Sequence, residues 1–118
     1  MTAAPATIAA PATAAVIRTI RLDGFLFDGR PNAKVSARVG DRLRFVWAAD
    51  NETPHALRTA RVPPGVARTV DTGLVATQHA PVGYRLARKG VYRFYCQAHR
   101  VLGMVVTVTV RPAQRHPS

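Results

Sequence analysis

Arg42-Leu43-Arg44-Phe45-Val46-Trp47 alternates, so that every second residue is large and apolar. Successive side chains of an extended chain point to opposite faces, which puts Leu43, Phe45 and Trp47 on one side and Arg42 and Arg44 on the other. A helix would scatter the same residues around its circumference, so the stretch reads as a strand with one buried and one wet face. The same period of two runs through residues 104–110, where Met104, Val106, Val108 and Val110 share a face. These two apolar faces are expected to meet across two packed sheets.

Outward from these stretches, strands are expected over residues 16–22, 34–39, 41–48, 55–60, 82–87, 91–96 and 104–111. Turn formers separate them: Asp23-Gly24, Asp28-Gly29-Arg30-Pro31-Asn32, Gly40, Asp50-Asn51, Pro63-Pro64-Gly65, Asp71-Thr72-Gly73 and Lys89-Gly90. Helical periodicity is almost absent. The expected fold is therefore all-β, a Greek-key β-sandwich with about eight strands. A chain of 118 residues supports one hydrophobic core. Residues 16–111 are expected to form that domain. Residues 1–15, built from Ala, Pro and Thr with Ile8, read as a flexible spacer because they lack the basic start and Leu-rich centre of a signal peptide. Residues 112–118 read as a polar tail. No apolar run approaches the ~18 residues that a membrane-crossing helix needs.

Lys and Arg total 17 against 6 Asp and Glu, a formal charge of +11, and 15 of the cations are arginines. That balance predicts attraction to acidic partners or anionic membrane surfaces and says little about fold. Arg42 and Arg44, and farther on Arg85, Arg88 and Arg93, are interspersed with apolar residues, as on the wet face of strands. No basic motif interleaved with aromatics and no recognition helix points to nucleic acid. Six acidic residues also leave few carboxylates for acid to protonate, so acid tolerance is expected.

The chemistry concentrates in Tyr95-Cys96-Gln97-Ala98-His99-Arg100-Val101-Leu102-Gly103-Met104. Cys96 is the single cysteine, which excludes an internal disulfide and leaves a thiol for metal or oxidation. A thiolate, an imidazole and a thioether on one short loop suit a soft or borderline ion. His55, after Pro54, is the candidate second imidazole. His55, Cys96 and His99 with a weak axial Met104 make the donor set of blue-copper electron-transfer sites. Each residue has a plainer reading alone: buried thiol, core methionine, loop histidine. The conjunction of four compatible donors at expected strand ends favours one copper ion. His79, before Pro81, and His116, in the tail, keep the plain reading.

The chain here resembles the cupredoxins, of the plastocyanin and pseudoazurin type. The matching stretches are Gly90-Val91-Tyr92-Arg93-Phe94-Tyr95-Cys96, the Cys-x2-His-x4-Met loop with Gly103 before Met104, and upstream Val39-Gly40-Asp41-Arg42-Leu43-Arg44-Phe45, Asn51 and Pro54-His55. The resemblance covers about residues 16–111. It implies an eight-stranded Greek-key sandwich, a type 1 copper on His55, Cys96, His99 and Met104, and a one-electron carrier in the periplasm or otherwise outside the cytoplasm. The chain departs from it beside the first histidine. Many relatives carry Asn or Ser there to bridge the two ligand loops, whereas Ala56 and Leu57 follow His55; Asn51 and Thr53 are the side chains that could take over.

The expected partner is an acidic redox protein or membrane-bound redox complex that docks on a monomer near His99 and Arg100, with Val101, Leu102 and Gly103 as an apolar collar. A copper carrier without redox turnover would use the same donors and is the alternative. Enzyme readings fare worse: the chain has four histidines and no His-x-His pair, and no Ser/His/Asp constellation, P-loop or dinucleotide fingerprint. A Cys96–His99 nucleophile pair would leave His55 and Met104 without a role.

Overall fold

The computed structural model describes residues 15–24, 26–47, 54–75, 80–97 and 99–113. The expectations for residues 1–14, Asn51, Thr53, His79 and His116 lie outside the described residues. Eight strands follow in order: β1 (Ile17–Asp23), β2 (Leu26–Phe27), β3 (Ala33–Arg38), β4 (Arg42–Trp47), β5 (Leu57–Arg61), β6 (Val82–Arg85), β7 (Gly90–Cys96) and β8 (Val105–Arg111). They form two four-stranded sheets, β2-β1-β4-β6 and β3-β8-β7-β5. The β1/β4 and β3/β8 pairs are parallel and the others antiparallel. This is the all-β sandwich that the alternation predicts.

The apolar faces meet as expected. Leu43, Phe45 and Trp47 of β4 and Met104, Val106, Val108 and Val110 beside and within β8 belong to one buried cluster. Aromatic rings bind the two sheets together: Phe94 of β7 packs against Phe45 of β4 at 5.0 Å and Tyr84 of β6 at 5.2 Å between centroids. Tilted and edge-on pairs of this kind add about 0.5–1.5 kcal/mol each beyond their burial. Tyr92, fully buried, uses its hydroxyl on the backbone of Arg88, donating to the carbonyl at 2.8 Å and accepting from the amide at 3.3 Å. This tyrosine corner fixes the turn that feeds β7.

Strand directions define two poles. β7 ends and β8 begins at one, where Cys96 and Met104 lie; the ends of β3 and β8 and the starts of β1 and β4 gather at the other. Asp41 closes that second pole. Asp41 is 5% exposed, and its carboxylate accepts from the Val16 and Arg38 amides at 3.0 Å each, so one side chain ties β1, β3 and β4 together.

Beyond shifts of one or two residues at other strand ends, such as β6 stopping at Arg85 rather than residue 87, two details differ from the sequence expectation. β2 has only two residues, too few for a period of two to register. The strand expected over residues 55–60 begins at Leu57 instead, and His55 pairs outside it, in an isolated bridge with Val75.

Candidate metal centre

Cys96 ends β7, where alternation turns its side chain inward, and is wholly buried. The chain then reverses through His99 and a 3-10 turn at Arg100–Leu102 before β8. Backbone bonds set this loop: the His99 amide donates to the Cys96 carbonyl at 3.2 Å and the Leu102 amide to His99 at 3.0 Å. Gly103 ends the turn at φ +93°, a left-handed conformation suited to glycine. The Cys96 amide donates to the Met104 carbonyl at 3.0 Å, which holds Met104 against the end of β7, and the Met104 side chain is fully buried.

The other donor arrives from the second ligand loop. His55 and Val75 exchange both backbone hydrogen bonds, at 3.1 and 3.0 Å, and the ring is buried completely. Thr72 steadies the residues just beyond, its hydroxyl accepting from the Leu57 amide at 3.0 Å and donating to the Gly73 carbonyl at 2.7 Å. Thr72 carries no sequence signal for this role, because its value lies in a contact fifteen residues away.

The structure brings three of the sequence-predicted donors together. Cys96 Sγ lies 3.6 Å from His55 Nδ1 and 3.5 Å from His99 Nδ1. The three donor atoms all lie within 4.8 Å of one another, with the two rings edge-on at 5.1 Å between centroids. Burial pulls the His55 ring from its ordinary 6.5 down to about 4, and the neighbouring His99 adds to that pull. Burial likewise lowers His99. Both imidazoles are thus held neutral near pH 7, the form that offers a lone pair to a metal. His55 Nε2 is buried with no hydrogen-bond partner among the described residues. A thiol and two neutral imidazoles, dry and converging, form a donor set suited to copper.

Among the described residues, the two ligand loops are bridged by backbone. The Ala56 amide donates to Cys96 Sγ at 3.4 Å, and the Ala56 carbonyl accepts from the Gln97 amide at 3.0 Å. A backbone bridge needs no particular side chain, so residue identity could not announce it. Solvent reaches the cluster only at His99, which is 9% exposed against none for His55 and Cys96. That is less than a loop histidine suggests. Around it, Val101 is 93% and Leu102 55% exposed, and the Arg100 guanidinium lies 4.6 Å from the Tyr95 ring centroid.

Comparison with known proteins agrees with the geometry. Pseudoazurins from Hyphomicrobium denitrificans and Methylobacterium extorquens AM1 superpose with TM-scores of 0.61 and 0.62, at 25% and 26% identity, over 80% of this chain and 74% of each of theirs. The architecture is that of a cupredoxin. The plastocyanin of Prochlorothrix hollandica is 33% identical over 105 residues, 86% of this chain and 78% of that protein. Residues 30–111 match the family of copper binding proteins described as plastocyanin/azurin. The chain belongs to that plastocyanin/azurin family, and one copper ion is its cofactor.

Proposed function

We propose that this protein is an extracytoplasmic one-electron carrier whose type 1 copper would be held by His55, Cys96 and His99, with Met104 as a weaker fourth donor. The observation that carries the reading is the convergence of Cys96 Sγ and two imidazole Nδ1 atoms within 4.8 Å in a dry pocket. Bound copper supplies a couple that gains and loses one electron at a site with soft and borderline donors. The chain's own contribution is fixity. Backbone bonds from the Cys96 amide to the Met104 carbonyl, from the Ala56 amide to Sγ and between His55 and Val75 hold the donors at one end of the β3-β8-β7-β5 sheet, which packing keeps rigid. The Ala56 N–H also offsets negative charge on the sulfur.

His99 marks the face that a partner approaches, because it alone of the three clustered donors reaches solvent. Val101 and Leu102 beside it supply a small apolar contact, and Arg100 adds positive charge. Brief redox encounters rely on small interfaces and electrostatic steering, so the partner is an acidic redox protein or complex that meets a monomer here. The alternative, delivery of copper to an acceptor, requires incoming ligands to reach the metal; complete burial of His55 and Cys96 favours passing the electron instead.

A visible spectrum of the copper-loaded protein tests the site. A strong thiolate-to-copper band in the red, abolished by Cys96→Ser, is expected; a colourless copper complex in the native chain refutes the assignment. Electron self-exchange that outpaces loss of copper(I) to a competing chelator supports the electron carrier. The reverse order supports copper delivery.

A further inference from the structure

We propose that the pole opposite the donor cluster is a cationic seat for an anionic lipid surface, so that the protein rests on a membrane with its copper end turned outward. The inference stands on charge and exposed side chains at that pole, independently of the redox chemistry. Arg38, Arg42, Arg85, Arg88, Lys89 and Arg111 come from the ends of β3, β4, β6 and β8 and from the β6–β7 turn. All are exposed except Arg38, which is half-buried. The strand register sets like charges directly opposite each other, Arg42 against Arg85 and Arg38 against Arg111. Such pairs are destabilising in a sheet, and an anionic surface would offset that cost.

Nothing described at this pole neutralises them. Asp41 is the one acid there among the described residues, and it is committed to two backbone amides and lies 3.8 Å from Arg18. Among the described residues, the ion pairs are Arg18–Asp41 and Arg58–Asp71. Val16 and Ile17, 40% and 62% exposed, sit at the same pole, where the Val16 carbonyl accepts from the Arg42 amide at 2.9 Å. Cations around a few exposed aliphatic side chains suit the headgroup layer of an anionic membrane.

The alternatives fit less well. Tyr84 and Tyr92 are buried, so among the described residues the pole offers no exposed aromatic ring on which a nucleic-acid base would stack. The charges come from separate segments around this end; the exposed apolar pair that suits a protein, Val101 and Leu102, lies at the other end. β7 has seven residues, which at about 3.3 Å each separates the poles by roughly 20 Å. That exceeds the ~8 Å screening length at physiological salt, so lipid at one pole leaves the field at the other nearly unchanged.

The test is sedimentation of the copper-loaded full chain with vesicles of mixed phosphatidylglycerol and phosphatidylcholine. Binding that weakens with salt, and is absent with phosphatidylcholine alone, is expected. The triple neutralisation Arg42→Gln, Arg85→Gln, Arg111→Gln should cut partitioning about a hundredfold, at about fivefold per charge. The corresponding Arg→Lys triple should restore it to within a fewfold, which separates charge from fold. An equal-charge triple at the other pole, Arg30→Gln, Lys34→Gln and Arg100→Gln, should change binding less than about fivefold. Equal losses from the two Gln triples overturn the proposal, because attraction would then follow net charge alone. So does equal binding to uncharged vesicles, or far-pole-dependent binding to duplex DNA or an acidic protein without binding to anionic vesicles.

Discussion

Single residues decide how firmly the donors are held. Gly103 has φ +93°, and a Cβ there would lie 2.8 Å from Cβ of Pro31, part of a rigid ring. Gly103→Ala therefore meets both backbone strain and overlap, and about 1–3 kcal/mol of destabilisation is expected. Denaturant unfolding of the metal-free variant measures that loss, and its copper should also exchange faster; an unchanged midpoint refutes the close approach. Ala56 bears on the couple itself. Ala56→Pro removes the N–H that points at Cys96 Sγ and keeps the carbonyl that accepts from Gln97. Without that donor, negative charge on sulfur is less well stabilised, so the reduced state loses support and the reduction potential should fall. Redox titration of copper-loaded Ala56→Pro checks the sign, and a rise would contradict it. The convergence of His55, Cys96 and His99 was legible in the sequence, because residue type and spacing carry their chemistry. The sequence was silent about Ala56 and Thr72, whose roles depend on a backbone amide and on a contact far along the chain.

At the scale of elements, Asp41 governs the junction of β1, β3 and β4. Each carboxylate oxygen faces one backbone N–H, from Val16 and from Arg38. Asp41→Asn would turn an NH2 group toward one of those donors, leaving a part-buried amide unsatisfied, and should cost about 1 kcal/mol or more. Equilibrium unfolding in urea tests this, and a loss below a few tenths of a kcal/mol would show the junction to be held elsewhere. Most elements were legible because one face of each strand is buried and the other wet. β4 shows it best, with Leu43, Phe45 and Trp47 buried between the exposed Arg42 and Arg44. β2 and the 3-10 turn at Arg100–Leu102 were not legible: two or three residues hold less than one full period of any pattern. The start of β5 shifted for a different reason. His55 is extended but bridges to Val75, a tertiary pairing that local alternation cannot distinguish from a strand.

For the whole molecule, charge governs the response to acid. Few carboxylates suggested tolerance, yet the fold buries two imidazoles that act in the opposite direction. An unfolded chain protonates His55 near 6.5, while the folded chain resists protonation until about pH 4. Between those values the unfolded state binds more protons, so stability of the metal-free protein should fall as pH drops through that window. The contribution is complete above 6.5 and lost below about 4; at 1.36 kcal/mol per pKa unit it amounts to about 3 kcal/mol. His99, lowered in the same direction by burial, adds to the slope. Melting of the metal-free chain from pH 7.5 to 4 should therefore show a falling transition temperature, with a shallower fall in His55→Gln, which keeps only the His99 part. Flat melting in the native chain would mean that the imidazoles are as easily protonated folded as unfolded. Copper, taking the same lone pairs, should blunt the dependence as long as it stays bound, since protons then have to displace the metal first.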